Sequence, residues 1–530
     1  MSTTAAAMAG LSDRQRYAAT SGVMAAVFLA AVGQTGLATA MPAVVADLGG
    51  FDRYTWAVTA YLVASTVVTP ITGRLADIHG RRIFFVAGLA VLIAGSVPIW
   101  LVTDMIQLTV WRVVQGVGGG MVMVNGLAAI ADLFAPEDRA KAQGLLGAVM
   151  FLAAVAGPLA AGWLTDNASW RWFFLLNVPA GMLLLFFIAR TFPAARPAAA
   201  DRGLDYAGML VLGLAVTPVM VALSWSGERQ AWNSPLAGGV FGFGVLMAGA
   251  FVLIESRAKS PVMPLHIYGN RTVSASVALA VLSSFCLYGV VVFTPLFLQS
   301  VLGASATGSG GMLAALGGGV VLGAVGSGQL LSRLGGNYRL AGLFGGFLMT
   351  GGAWLLSSMN AGTSLAGAAA YLVVVGAGMG ALNTIATVAV QNTVPFAMVG
   401  AATSALHFFR LLSSAAGLAL MGAVLAMRFA ARLAGGVGDE ARALLPPGRF
   451  EALQSNPGVL DTAAADALRA SLAAAGPEGA RAADAVIGGL NAATAGAVGD
   501  ALALCVAVAA VSVVAALFLD AGRHHSTGAS

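Results

Sequence analysis

The run Gly73-Arg74-Leu75-Ala76-Asp77-Ile78-His79-Gly80-Arg81-Arg82 packs three arginines, an aspartate and two glycines between two apolar stretches. Outward from it the chain turns hydrophobic: 58% of its 530 residues are hydrophobic, only 9% are charged, and the mean hydropathy is +0.86. A soluble globule of this size needs an ordinary charged surface, so the composition describes a polytopic membrane protein. Crossing ~30 Å of hydrocarbon at 1.5 Å per residue takes ~20 apolar residues. Runs near that length predict spans at 20–42, 54–73, 83–103, 107–129, 144–164 and 172–192, then at 206–225 and 235–254. Six more fall at 273–298, 307–331, 339–359, 364–390, 401–427 and 498–520. Fourteen spans are an even number, so both termini lie on one side.

Lysine and arginine are retained on the cytoplasmic face during insertion, which sets the direction. With the N-terminus inside, sixteen of the 27 basic residues fall in cytoplasmic segments, whereas the short outer loops hold only Arg53, Arg171 and Arg229. The expected location is the cell membrane, multi-pass, with both termini cytoplasmic. The net charge of +5 then reflects topology and points to the lipid bilayer as partner, not to nucleic acid. The first span is too long for the core of a cleaved signal peptide and is followed by others, so it is expected to stay as an anchor. Cys286 and Cys505 fall inside spans and offer neither a disulfide framework nor metal spacing.

The opening run looks like the G-x-x-x-D-x-x-G-R-[RK] signature of the major facilitator superfamily, matched at Gly73, Asp77, Gly80, Arg81 and Arg82. Physically, the glycines let the backbone turn and approach a neighbour, while Asp77 can cap a helix start and face the guanidinium groups. A related segment recurs as Gly328-Gln329-Leu330-Leu331-Ser332-Arg333-Leu334-Gly335, with Ser332 at the acid position. Such an echo predicts two six-helix halves with the seventh and eighth spans inserted between them. Leu108, Arg112, Gln115, Gly116 and Gly118 resemble the fourth-span pattern L-x-x-x-R-x-x-Q-G-x-G. In the fifth span Ala153, Gly157, Pro158 and Gly162 resemble the antiporter element G-x-x-x-G-P-x-x-G-G, with alanine at the first glycine and at Ala161. Ser169 to Phe174, Asn177 to Gly181, Leu204 to Gly208 and Trp232 to Pro235 resemble the 14-helix drug:proton antiporter branch. The likeness spans essentially the whole chain. It implies alternating access by rocking of two halves around a central cavity, with a proton gradient as energy source and no cofactor.

The chain departs from that branch in the first span, where D-x-T followed by A-x-P is replaced by Gly33-Gln34-Thr35 and Ala40-Met41-Pro42. In relatives the acid is thought to bind a proton or cation, and a glycine cannot titrate. No acidic residue lies in the middle of any span, yet Arg112 and Arg410 do, where an unpaired cation costs about 2.5–3.5 kcal/mol or more. Arg112 has Gln115 and Gly116 at i+3 and i+4, and two readings stand: a cavity charge, or a structural side chain that snorkels outward. Thr403, His407, Arg410 and Ser414 form one polar stripe at helical spacing. His407 is the ordinary titrating group well inside a span, either a proton carrier or a packed hydrogen-bonding residue. Arg410 is likewise either cavity-facing or scaffold. Gln34, Thr35, His407 and Arg410 are the candidate cavity residues. In the fifth span Ala153, Gly157 and Ala161 make a small-residue stripe that admits close helix contact, and Pro158 frees the Ala154 carbonyl, a bend point or a static contact.

Enzyme chemistry finds no footing. The two lysines, Lys141 and Lys259, each follow alanine, so no G-x-x-x-x-G-K-[ST] phosphate loop exists and ATP is not a partner. No G-x-S-x-G elbow or H-E-x-x-H helix occurs, and no metal site is expected. The fold expected is an all-α membrane protein of 14 transmembrane helices: a cytoplasmic tail 1–19, a six-helix bundle 20–192, a linker with two helices 193–272, a second six-helix bundle 273–520, and a tail 521–530. An extracytoplasmic segment 428–497, broken by Pro446, Pro447, Pro457 and Pro477, reads as a partly ordered cap with short helices at 461–475 and 479–494. The function expected is secondary active export of an amphiphilic small molecule, neutral, zwitterionic or anionic. A lipid or lipid-conjugate translocator is the alternative within transport, and a non-transporting receptor or scaffold the alternative outside it. Replacing Asp77 by Asn removes a charge from the gating loop without touching an apolar span. Transport by Asp77→Asn is therefore expected to fall steeply at unchanged membrane insertion, and wild-type transport by well-inserted protein would refute the gating role.

Overall fold

The computed structural model describes residues 12–50, 53–134, 136–193, 205–225, 234–258, 263, 265–394, 399–445, 448–454, 468–472 and 476–521. The first half comprises α1 (Asp13–Thr35), α2 (Leu37–Leu48), α3 (Trp56–His79), α4 (Arg81–Ser96), α5 (Met105–Leu133), α6 (Pro136–Asn167), α7 (Arg171–Leu175) and α8 (Asn177–Thr191). An inserted pair follows, α9 (Tyr206–Trp225) and α10 (Pro235–Arg257). The second half contains α11 (Arg271–Ser300), α12 (Ala306–Arg333), α13 (Tyr338–Ser357), α14 (Leu365–Thr393), α15 (Val399–Gly436), α16 (Asp439–Ala443), α17 (Arg449–Gln454) and α18 (Pro477–Ala516). Among the described residues thirteen helical stretches are long and apolar enough to cross a membrane, and the 32-residue α6, not one of those thirteen, packs beside them. All regular structure among the described residues is helical, as lipid demands of a chain that must satisfy its own backbone groups.

Helix starts are closed by short polar side chains. Ser12 and Gln15 form a capping box on α1, and Asp104, Asn270, Ser305, Asn337 and Ser364 accept from the first turns of α5, α11, α12, α13 and α14. Gly36 stands between α1 and α2, where a Cβ would strike the Phe173 ring and come 2.9 Å from the Gly157 carbonyl oxygen. The helices overrun the expected spans, since hydropathy sees only the stretch inside hydrocarbon. The segment 428–497 departs most: α15 continues to Gly436 and α18 begins at Pro477, so both ends of the expected cap are helix, 479–494 included. Alanine-rich composition favours that continuation, and Arg432 ties the two helices by Nε and Nη2 to the Asp500 carboxylate, each at 3.0 Å. Most of 461–475 lies outside the described residues.

Within each half one central helix is clamped by glycines. On α5, Cβ atoms on Gly116 and Gly120 would collide with the α3 backbone at Tyr61 and Ser65, and one on Gly118 with α4 at Gly88 and Leu92. The same G-x-G-x-G recurs on α14: Gly376 and Gly380 meet α12 at Leu316 and Val320, and Gly378 meets α13 at Met349. The triads α3–α5–α4 and α12–α14–α13 are thus one packing unit used twice, and Gly319 and Gly323 of α12 press reciprocally on Val373 and Ala377 of α14. The halves meet along α6 with α12, α3 with α15, and α2 with α11, while α9 rests on both α3 and α15 and carries α10 outside it.

Overpacking a close contact of this kind costs typically 1–3 kcal/mol. Gly323→Val, against the Ala377 carbonyl, should therefore lower the thermal midpoint in detergent by several degrees, whereas Gly326→Val on the open face of the same helix should not. Equal midpoints for the two variants would remove the glycine clamp from the account.

Candidate functional site

Arg112 is completely buried on α5. Its Nε donates to the Ala57 carbonyl at 3.1 Å, and its Nη1 donates to the Gly33 carbonyl and to Gln115 Oε1, both at 3.0 Å. Gln115 in turn donates from Nε2 to Ser96 Oγ at 2.8 Å. The guanidinium lies 4.4 Å from the centroid of Tyr61, whose hydroxyl donates to the Ala30 carbonyl. Nη2 has no hydrogen-bond acceptor among the described residues. Arg112 therefore takes its compensation from carbonyl dipoles and a ring face, and makes no ion pair among the described residues. Gly119 gives the Tyr61 side chain the room to reach across, since a Cβ there would strike its ring and hydroxyl.

Gly33 itself stands at the meeting point of α1 and α5. A Cβ there would have one neighbour within 4 Å, the Asn177 amide nitrogen at 3.9 Å, so the position is roomy. Gln34, next in sequence, is half-buried and lies near the buried Tyr288 of α11. Thr35 turns back on its own helix, its hydroxyl donating to the Ala31 carbonyl at 3.1 Å.

The second half contributes a facing polar surface. Asn383, Thr387 and Gln391 recur along α14, and Thr403, His407 and Arg410 along α15, all half-buried. Arg410 Nη2 donates to the Asn383 carbonyl at 2.9 Å and to Thr387 Oγ1 at 2.7 Å, and Gln391 Nε2 donates to Thr403 Oγ1 at 3.3 Å. Ser414 leaves this surface and donates to the Ser284 and Arg410 carbonyls. Arg410, like Arg112, forms no ion pair among the described residues, and its Nε has no acceptor there. The α14 row went unread in the sequence because its residues are uncharged, although their i, i+4, i+8 spacing carries the signal.

At the end of the bundle opposite the termini the halves are sewn together. Gln299 Nε2 donates to the Thr39 carbonyl at 3.0 Å and to Ser309 Oγ at 2.7 Å, and the Tyr54 hydroxyl donates to the Val292 carbonyl at 3.4 Å. Asp166 of α6 accepts from the Ala306 and Thr307 N–H groups at 3.1 and 2.7 Å, capping α12 across the seam. Two glycines of the antiporter-like element on α6 serve both neighbours: Gly157, also in the expected small-residue stripe, admits Val32 and Thr35 of α1, while Gly162 admits Ala306 and Thr307 of α12. Gly310 of α12 lies against the Pro158 carbonyl.

The residues of the 73–82 turn sit at the other end. Gly80, at φ 93°, separates α3 from α4, a conformation that favours glycine, and a Cβ on Gly73 would press on Val124 at 3.3 Å. Asp77 falls in the last turn of α3, and the residue before α4 is Gly80. The Asp77 side chain lies outside the described residues. Arg81 is half-buried, and Arg82 donates from Nη2 to the Ala189 carbonyl at the end of α8.

The chain is similar to the multidrug transporter protein MdtP of Bacillus subtilis (strain 168), at 34% identity over 407 residues, covering 77% of this chain and 75% of that protein. It is similar to multidrug resistance protein 3 of the same organism at 32% identity over 403 residues, covering 76% and 78%. Among solved structures, an inward-facing, occupied bacterial homologue of the human lysosomal transporter Spinster superposes with a TM-score of 0.62 over 95% of this chain and 97% of that one. At 15% identity this likeness concerns the fold alone. The pattern of the Major Facilitator Superfamily matches residues 23–418. Two glycine-clamped halves meeting around a polar centre, together with that match, place the chain in the Major Facilitator Superfamily as a membrane transporter.

Proposed function

We propose that this transporter exports amphiphilic small molecules that are neutral, zwitterionic or anionic, by alternating access coupled to proton entry. The observation that carries the reading is Arg410, half-buried on the polar face between α14 and α15 with no carboxylate paired to it among the described residues. A cation 4 Å from such a charge is disfavoured by ~4 kcal/mol at an effective dielectric of 20. Arg112 adds a second fixed positive charge behind Tyr61. The relatives named as multidrug transporters support export of small molecules, and the arginines favour acids over permanent cations within that class. The lysine and arginine distribution supports a cell-membrane location with cytoplasmic termini, which makes the sewn end the outer one.

Alternating access on this fold is rocking of 20–192 against 273–520. The outer seam consists of single hydrogen bonds and small-residue contacts, which separate at modest cost, while the clamped triads move as units. For the coupling proton, Gly33 supplies no titrating group, and His407, one turn from Arg410, is the candidate carrier.

A charge-assisted hydrogen bond contributes about 1.5–3 kcal/mol, so Arg410→Gln is expected to cut export of a carboxylate-bearing amphiphile by roughly tenfold or more. Export of a neutral analogue should change little. In a strain stripped of other exporters, robust efflux of a quaternary ammonium dye with no effect of the variant on acids would overturn the charge argument.

His407→Gln is expected to flatten the pH dependence of transport in proteoliposomes, because it removes the titrating group and keeps a hydrogen-bonding one. An unchanged profile would move coupling to rim carboxylates or to the substrate's own proton.

A further inference from the structure

At the end of the bundle that carries the termini, on the outer side of the first half, α1, α4 and the end of α8 enclose a cavity of about 430 Å³. Arg14 and Gln15 of α1, Arg82 of α4 and Arg190 of α8 line it, with Phe192 and Pro193 at one side. Three guanidinium groups from three helices converge there, and no carboxylate is among the lining residues. The nearby acid, Asp13, is engaged by Arg16. Arg82 spends one nitrogen on the Ala189 carbonyl and Arg190 lies 4.0 Å from the centroid of Phe186, so each is held in place with N–H donors left over. Arg14 and Arg190 are exposed.

The surface running away from this cavity is apolar. Met182, Leu183 and Phe186 of α8 are 59%, 70% and 54% exposed, and Ile83 of α4 is 61% exposed. A cationic cage at the membrane edge above an apolar flank matches an amphiphile with an anionic head, and basic pockets between transmembrane helices take phospholipid head groups in this way. The geometry points to a binding site for the phosphodiester head group of an anionic phospholipid, held by Arg14, Arg82 and Arg190 with its acyl chains along α8. The site lies outside the central polar surface and is independent of what is transported. Tying α1, α4 and α8 together on a membrane lipid would stiffen the first half at its gating-loop end.

Free phosphate shares the head-group chemistry but not the chains, and the experiment separates the two. The full-length protein in detergent is titrated with phosphatidylglycerol, phosphatidylcholine or inorganic phosphate, and bound ligand is counted by native mass spectrometry. Phosphatidylglycerol should be retained in preference to phosphatidylcholine, and Arg14→Gln/Arg190→Gln should weaken its retention roughly tenfold, given the attraction each arginine adds near an anionic head. Arg14→Lys/Arg190→Lys, which keeps the charges, should restore most of it. Both substituted positions are exposed, so folding is expected to survive, and an unchanged thermal midpoint checks it. Equal retention of the two lipids, equal retention by wild type and the glutamine variant, or occupancy by inorganic phosphate without the lipid would each overturn the assignment.

Discussion

Apolar side chains gain nothing by leaving hydrocarbon for one another, so this fold rests on backbone brought against backbone at glycine. Van der Waals contact at short range replaces the hydrophobic drive that would hold a soluble bundle. Gly116, Gly118 and Gly120 give it to the first half, and Gly376, Gly378 and Gly380 give it to the second. The consequence is mechanical. A helix locked on two sides by peptide groups has no room to slide, so each triad behaves as a block, and freedom is left to the surfaces between blocks.

Those surfaces are built differently. At the end opposite the termini the halves are joined by Gln299, Tyr54 and the Asp166 cap on α12. A helix cap contributes about 1 kcal/mol. The inserted pair reaches both halves through α9, which rests on α3 and α15.

Arg112 shows how a membrane protein keeps a cation without an anion. Two carbonyl oxygens, an amide oxygen and the face of Tyr61 surround it, and the carbonyl it reaches on α1 belongs to Gly33. What Gly33 offers is a peptide dipole, which has no proton to give up. Arg410, held by Asn383 and Thr387, repeats that arrangement in the second half with more exposure.

Much of this was written in linear patterns. Runs of about 20 apolar residues gave the helices, the arginine-rich turn at 73–82 gave the family likeness, and the lone arginines marked the polar centre, because each signal is local to one helix. Helix ends beyond hydrocarbon, such as α15 to Gly436 and α18 from Pro477, escaped because hydropathy has no contrast outside the lipid. The neutral row Asn383, Thr387 and Gln391 escaped because amides and hydroxyls are common enough in helices to mean nothing until a guanidinium faces them. Sequence by itself determined the all-helical membrane class, the absence of an acid from the middle of the expected spans and the positions of the glycines. Only the tertiary structure decided that Arg112 is spent on backbone while Arg410 stays half-open, and that Asp166 belongs to the opposite half. Pairing between helices distant in the chain is set by how their surfaces fit, and that fit is a property of two helices together and is carried by neither one alone.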